Sequence, residues 1–299
     1  MKYTIKDFKK DFPDDDTCLN YLLKKIYGEH PVCPKCGKSS FHKVSNRKCY
    51  ACAWCGQQIH PTANTIFHKS ETKLTDWFFA IYLMSQSKNG VSAKELERHI
   101  GCTYKTAWRM ANRIRSLMTQ DSTKLKGTVE ADETYIGGRI KNPHKRFKNK
   151  TAVMGMVSRK GEVRSMKISD AQTHILLGNL KDNVQIGSRL ITDDNHGYRK
   201  ADKLGLTHDI IKHSRKQYVK GDIYTNTIEG FWSQMKRSID GTYHLVSPKY
   251  LQSYVDEFVY QYNQRKSFVP VFQDLLYRAC YKPDLTGQRI VVFEKIPVA

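Results

Sequence analysis

Three acidic residues that lie far apart in the chain have the residue type and the setting that metal-dependent phosphate chemistry requires. Asp132 lies in a segment with the period-two pattern of a strand, Asp193 ends the apolar run SRLITD, and Glu229 lies in NTIEGFWSQMK, whose apolar residues repeat at helical spacing. The two intervening stretches have 60 and 35 residues. Carboxylates on a strand, a strand end and a helix can converge to hold two Mg²⁺ or Mn²⁺ ions, which activate an attacking oxygen and stabilise a leaving oxygen at phosphorus.

Each of these acids also has a simpler explanation. Asp132 has acidic neighbours, as an exposed strand end often has, and the tetrapeptide TDDN that contains Asp193 is typical of a turn. Glu229 stands three residues after Asn226, so the pair fits a helix capping box. Because the three acids occur together in a strongly basic chain, downstream of a motif that fits DNA reading, metal chemistry is the better hypothesis.

The segments that must position these acids alternate between strands and helices, which is typical of an α/β layer. Strands are predicted in GTVEADETYIGG, TAVMGMVSRKG, EVRSMKI, SRLITDD and HDII, and helices near 171–183 and in PKYLQSYVDEFVYQYNQR. Three regions are predicted along the chain: an N-terminal helix with a cysteine-rich unit over 1–68, a helical region over 69–122, and an α/β domain with C-terminal helices over 123–299.

Four cysteines have the spacing of a zinc ribbon. They form two C-x2-C pairs with 15 residues between them, and these are Cys33, Cys36, Cys52 and Cys55. Each tight turn offers two thiolates at tetrahedral separation, so structural Zn²⁺ is the favoured hypothesis over reduced, unliganded thiols or a redox dithiol. Cys49 or His60 remains an alternative ligand, because Cys49 also stands C-x2-C from Cys52.

The stretch VSAKELERHIGCTYKTAWRMANRIRSL predicts two helices, about 92–99 and 103–117, with Gly101 in the turn between them. Ser92 and Thr103 are the expected caps. A helix-turn-helix would use the second helix to present polar and basic side chains to a DNA groove. These side chains are Tyr104, Lys105, Arg109, Asn112 and Arg113. A plain helical hairpin with a solvated basic face is the alternative.

The overall charge favours an anionic partner. Lys and Arg total 50 against 29 Asp and Glu, so the formal charge is +21, which attracts phosphate backbones or anionic membrane surfaces. No apolar run approaches the roughly 20 residues of a membrane span, and the N-terminus lacks the apolar core of a signal peptide. We therefore expect a cytoplasmic protein with no membrane partner. A basic loop fits nonspecific phosphate contact or a solvated surface, through Lys141, Lys145, Arg146, Lys148 and Lys150.

The order of these motifs resembles that of a known family. The two C-x2-C pairs are followed by GVSAKELERHIGCTYKTAW, VEADETYIGG, LITDDNHGY and NTIEGFWSQMKRSIDGTYHLVSPKYLQSYVDEFVYQYNQR, from about Cys33 to Arg265. This series is similar to bacterial insertion-sequence transposases that carry an N-terminal zinc ribbon, a helix-turn-helix and a DDE catalytic domain. The resemblance implies an RNase H-like fold, with the zinc ribbon and the helix-turn-helix domain before it, and cut-and-join chemistry on DNA ends.

The resemblance also assigns residues and partners. Asp132, Asp193 and Glu229 match the metal-binding catalytic triad, which takes Mg²⁺ or Mn²⁺. Lys236, seven residues and nearly two helical turns after Glu229, matches a basic residue that contacts the transposon end. A solvated pair of opposite charges is the simpler alternative for these last two residues. Double-stranded DNA, both transposon ends and target, is the implied partner, with a homodimer or a larger synaptic assembly and a nucleoid-associated location.

Two other functions fit the same residues. A structure-selective nuclease or resolvase has the same fold and metals, but it hydrolyses strands without joining them. A non-catalytic, sequence-specific DNA-binding regulator would retain the carboxylates only as a relic. The presence of all three acids together with Lys236 favours the transposase.

Overall fold

The structure is a computed structural model, and it describes residues 3–138, 150–212 and 219–280 of the chain. The described residues form two compact units, one built from 3–86, 96–117 and 268–280, the other from 87–95 and 118–267. The division at residues 68 and 122 stays a prediction. The predicted basic loop lies outside the described residues except for its last member, Lys150.

The first unit combines helices with a small antiparallel sheet. Its strands are β1 Phe41–Lys43, β2 Tyr50–Cys52 and β3 Gln58–Ile59, in that order. The helices that contribute residues to it are α1 Ile5–Asp11, α2 Asp15–Tyr27, α3 Leu74–Gln86, α4 Ala93–Ile100, α5 Tyr104–Arg115 and α9 Val271–Cys280. Asp15 joins two of them, because its carboxylate accepts the Leu74 and Thr75 N–H groups at the start of α3, at 3.0 and 2.9 Å.

The second unit is built on a five-stranded sheet. Its elements are β4 Thr128–Gly137, β5 Lys150–Ser158, β6 Val163–Lys167, α6 Thr173–Asn183, β7 Arg189–Thr192, β8 Thr207–Ile210, α7 Asn226–Ser238 and α8 Leu251–Gln264. The strand order is β6-β5-β4-β7-β8; β5 is antiparallel to both of its neighbours, whereas β4, β7 and β8 are parallel. This order and polarity are those of an RNase H-like sheet, so the predicted α/β fold is confirmed.

Both faces of this sheet are covered, because alternate residues of each strand point to opposite sides. Val129 and Ala131 of β4 belong to one buried cluster with Leu176 and Leu180 of α6. On the other face, Val153 and Val157 of β5 belong to a cluster with α7 and α8, which contribute Ile228, Phe231, Trp232, Met235, Val255 and Phe258. Helix α7 therefore lies directly on the sheet, and the residues that it carries are held at a defined height above β4.

No helix in the described ranges combines the length and the apolar character that a membrane crossing needs.

Candidate active site

Two of the three predicted acids are brought together by the pairing of β4 with β7. The strands are parallel neighbours with Glu130 opposite Ile191. Asp132 comes two residues further along β4, and Asp193 two residues further along the chain, directly after the end of β7. The carboxylates are close enough that burial, with the charges of Glu133 and Asp193, raises the pKa of Asp132 to about 7.

Asp132 is tied to α7 by a side-chain hydrogen bond. The Trp232 Nε1–H donates to Asp132 Oδ2 at 3.0 Å. Gly155 lies opposite Asp132 in the β4–β5 ladder, and a Cβ at that position would lie 2.5 Å from the Trp232 ring. Only glycine therefore lets the indole lie over the strands and reach the carboxylate.

A fourth acid, Glu133, lies on the opposite face of β4 and joins the site. Tyr198 Oη donates to Glu133 Oε2 at 2.6 Å, and the Asn195 side-chain amide donates to Glu133 Oε1. The Asn195 backbone N–H donates to Asp193 Oδ1 at 3.1 Å, so Asn195 bridges the two acids. Burial, and then the Glu133 carboxylate, raises the pKa of Tyr198 well above its usual value. In the sequence, Glu133 stands out only as an acidic neighbour of Asp132.

Glu229 lies in the first turn of α7, three residues before Trp232, and its side chain is exposed. Thr225 Oγ1 donates to Glu229 Oε1 at 2.9 Å. The capping-box alternative is wrong, because Asn226 is the first residue of the helix, its cap is Thr225, and Thr225 makes no side-chain cap bond. Glu229 thus lies one helical turn from the indole that contacts Asp132.

The start of α7 is held by Glu130 instead, a residue that is 0% exposed. Glu130 Oε2 accepts the backbone N–H groups of Thr227 and Ile228, at 2.8 and 3.1 Å. These are orphan donors of the first turn, and a carboxylate there also interacts favourably with the helix dipole. Because Glu130 and Asp132 share one face of β4, the same strand fixes both the helix and the first predicted metal ligand.

Arg159, the residue that follows β5, binds the Glu130 carboxylate. Its Nε–H donates to Glu130 Oε1 at 2.7 Å. Its other nitrogens donate to the carbonyl oxygens of Asp222 and Tyr224, at 2.7 and 2.9 Å, and the guanidinium stacks 3.6 Å from the Tyr224 ring centroid. The ion pair of Glu130 and Arg159 therefore holds both the start of α7 and the segment that leads into it.

The four predicted zinc ligands also come together. The Sγ atoms of Cys33, Cys36, Cys52 and Cys55 all lie within 4.8 Å of one another. Among the residues that the structure describes, these four form the one group of potential ligands placed closely enough to share a metal ion. Gly37 and Gly56 have φ of 70° and 69°, and each donates its N–H to the carbonyl of the first cysteine of its pair at 3.0 Å. Soft thiolates in this arrangement fit Zn²⁺. Cys49 stands apart, buried, with its Sγ 3.9 Å from Gln58 Oε1.

The predicted helix pair is present as α4 and α5. Gly101 has φ of 73° in the turn, and Thr103 Oγ1 accepts the Thr106 N–H. The side chains of Tyr104, Lys105 and Arg109 are exposed. Arg113 is half-buried, and its guanidinium donates to the carbonyl oxygens of Ile66 and His68 at 2.8 and 3.3 Å. The DNA-contacting roles of these four residues stay predictions, and for Arg113 the observed bonds are those of a structural residue.

Two family models match the chain. Residues 124–263 match the ISXO2-like transposase domain, and residues 13–58 match the transposase zinc-ribbon domain. The chain therefore contains an insertion-sequence transposase domain, preceded by a transposase zinc ribbon. The transposase-domain match spans all three predicted acids and Lys236, and the ribbon match contains the four clustered cysteines but ends before His60.

The chain is also similar to individual proteins. The chain is 23% identical over 252 residues to an uncharacterised protein in transposable element ISH50 of Halobacterium salinarum, a match that covers 76% of this chain and 84% of that protein. Among solved structures, it is similar to a chain of the simian T-cell lymphotropic virus intasome in complex with PP2A regulatory subunit B56 gamma. That likeness has 14% identity and a TM-score of 0.29, and covers 60% of this chain but only 65% of the other, less than two thirds of its length.

Substitution of Glu130 is expected to lower the stability of the protein measurably, because Glu130 anchors the start of α7. In Glu130→Gln, the amide oxygen can still accept the Thr227 and Ile228 N–H groups, but its NH₂ would face the Arg159 Nε–H. We expect the free energy of unfolding to fall by about 2–4 kcal/mol in urea titrations, because a buried ion pair loses one charge. Glu162→Gln is the matched control: its side chain is 51% exposed and pairs with Arg164, so we expect a change below about 1 kcal/mol. Equal changes in both variants would contradict the anchoring role.

Proposed function

We propose that this protein is an active DNA transposase that binds the terminal inverted repeats of its insertion sequence, cleaves the strand there and joins the 3′-OH to target DNA. The observation that carries the proposal is the meeting of Asp132 on β4 with Asp193 at the end of the parallel neighbour β7, beside the helix that bears Glu229. In a chain with an ISXO2-like transposase domain, these three acids are the proposed ligands of Mg²⁺ or Mn²⁺.

The chemistry of the site fits such a metal. Carboxylate oxygens are the ligands that Mg²⁺ prefers. Asp132, Glu133 and Asp193 concentrate negative charge in a half-buried place, and burial first, then the charges of Glu133 and Asp193, raise the pKa of Asp132 to about 7. A divalent ion there would offset the repulsion. Bound Mg²⁺ activates the attacking oxygen and neutralises charge on the phosphate.

Hydrogen bonds from neighbouring residues position the three acids. Trp232 orients the Asp132 carboxylate through its Nε1–H, and Asn195 holds Asp193 against the segment that follows β7. Thr225 orients Glu229 from the residue before α7. Lys236, exposed on α7 without an ion pair to any described residue, is proposed to contact a DNA phosphate near the reacting end.

The remaining parts of the chain are proposed to recognise DNA. The zinc ribbon and the α4–α5 pair would bind the terminal repeats, with Tyr104, Lys105 and Arg109 exposed for contact on α5. The net charge of +21 supports a phosphate-rich partner. Two ends must react together, so the active form is proposed to be a homodimer or a larger assembly on DNA in the cytoplasm, at the nucleoid.

The test is strand cleavage and joining on a labelled duplex that carries the element's own end, with a supercoiled plasmid as target, in Mg²⁺ or in EDTA. We expect joined products that require the metal. Cleavage without joining would favour a nuclease. End binding with no cleavage in Mg²⁺ or Mn²⁺ would favour a regulator.

The pH dependence of metal binding follows from the site's electrostatics. Asp132 must lose its proton to bind Mg²⁺, and its pKa is raised to about 7 in the metal-free protein, so affinity should increase as pH rises through that value. Between pH 6 and pH 8, the ionised fraction rises about tenfold, and we expect the Kd for Mg²⁺ to fall by about the same factor in calorimetric titrations without DNA. Asp132→Asn should bind more weakly and lose most of this pH dependence. Wild-type affinity that stays constant across this range would contradict the assignment.

A further inference from the structure

The chain leaves α7 through an unusual backbone path. A π-helical turn spans Ile239–Tyr243, and His244 follows with φ 60° and ψ −48°. The Leu245 N–H donates to the Tyr243 carbonyl oxygen at 2.6 Å, so His244 is the centre of a γ-turn of the rare, positive-φ kind. Single π-helical turns and strained residues both occur preferentially at functional sites. Leu245, the next residue, is 73% exposed.

This path is rigidly anchored on its inner side. Tyr243 Oη donates to the buried Glu257 at 2.8 Å, and its ring packs edge-on against Tyr254 with 4.7 Å between centroids. The backbone of Gly90 lies so close that a Cβ there would be 1.8 Å from Tyr243 Oη. The exposure of Leu245 is therefore imposed by packed neighbours.

Leu245 stands at the rim of an open cavity of about 570 Å³. Its apolar floor is formed by Ile136, Ile239 and Val246, which are 7%, 6% and 7% exposed. Lys150 and Lys236 line it as well, with one carboxylate, Asp240. The volume is within the usual range for a ligand pocket, and an apolar floor beside two ammonium groups suits a nucleotide, with the base on the floor and the phosphate at the lysines.

Two of the three elements that carry the proposed metal ligands, α7 and β4, run from those ligands to this cavity. Lys236 lies seven residues after Glu229 on α7, about 10 Å along the axis at 1.5 Å per residue. Ile136 lies four residues after Asp132 on β4, about 13 Å along the strand. Stacked nucleotides are spaced about 3.4 Å apart, so the cavity is about three or four nucleotides from a phosphate at the carboxylates.

We propose that this cavity receives a nucleotide of the bound DNA whose base has left the stack, with the Leu245 side chain filling the gap that it leaves. The inference rests on the proposed function, because it takes the transposon end as the bound DNA. Apolar side chains inserted between base steps unstack them, and a pocket that accepts the extruded base compensates for that cost. The cavity would then help to fix the register of the scissile phosphate over the carboxylates.

The test uses the full chain and duplexes of the element's end with 2-aminopurine at each of the five positions nearest the cleavage site. Fluorescence is read on binding in EDTA, where cleavage does not occur. We expect a rise of roughly threefold at one position, because the base analogue brightens when it unstacks. In Leu245→Ala, more than about half of this rise should be lost. Ile186→Ala is the matched control, since Ile186 is a similarly exposed aliphatic residue of the same unit at 76%, and it should behave as wild type.

A second experiment tests whether Leu245→Ala impairs base extrusion specifically or cleavage in general. When the duplex carries a mismatch at the responding position, the base is already unpaired, so the cleavage rate of Leu245→Ala in Mg²⁺ should recover to near that of wild type. If wild type cleaves and joins ends but no position brightens, or if both variants behave alike, this inference is overturned and the proposed function stands. If wild type neither binds nor cleaves the end, both are overturned.

Discussion

Replacement of Glu229 by glutamine is expected to lower the rate of strand cleavage at least about a thousandfold, or about 4 kcal/mol in activation free energy. Glutamine keeps the size of the side chain and can still accept from Thr225 Oγ1, so the start of α7 should be unchanged. What is lost is the negative charge that completes the proposed metal site. The measurement is single-turnover cleavage of the labelled end in Mg²⁺, with end binding measured on the same protein by fluorescence anisotropy.

Two comparisons make this result specific. Glu162→Gln makes the same chemical change at an exposed position of the same unit and should leave cleavage within about twofold. End binding by Glu229→Gln should be preserved, since the recognition elements are proposed to lie elsewhere in the chain. Cleavage at near wild-type rate in Glu229→Gln would remove Glu229 from the site and leave Asp132, Asp193 and Glu133 as the acids to examine.

Loss of the zinc ligands is expected to unfold the ribbon. Strands β1, β2 and β3 have only three, three and two residues, so this small sheet has little core of its own. Structural zinc in such units contributes roughly 10–16 kcal/mol of apparent binding free energy. We expect wild type to hold one zinc per chain by metal analysis, and Cys52→Ser to hold less than about a tenth of that and to become sensitive to limited proteolysis within residues 31–60.

Cys49→Ser is the matched control, because Cys49 is a buried cysteine of the same sheet region that lies outside the cluster. It should retain full zinc and resist the protease as wild type does. Loss of zinc in Cys49→Ser would instead place Cys49 in the ligand set, as the alternative pair Cys49 and Cys52 requires. Full zinc in both variants would place the metal elsewhere.

Patterns within single segments predicted much of this protein. The two C-x2-C pairs indicated a zinc ribbon, because a tight turn brings the two cysteines of each pair together, and all four Sγ atoms do lie within 4.8 Å of one another. Period-two and helical spacing predicted the strands and helices of the second unit, and the alternation of strands with helices predicted its α/β fold. These features depend on local geometry, which a short stretch of sequence carries in full.

The tertiary structure alone decided which distant groups meet. The first-turn N–H groups of α7 are accepted by Glu130, a residue almost 100 positions earlier that the sequence marks only as an acid near Asp132. Likewise Arg113, predicted from its helix face to contact DNA, donates to the carbonyl oxygens of Ile66 and His68.

His244, with its positive φ, follows Tyr243, whose ring packs against Tyr254 of α8, and no local pattern encodes that contact. Periodicity tells which side of an element a residue faces. The partner on that side is set by strand order and helix placement, and these follow from how the whole chain buries its apolar surface.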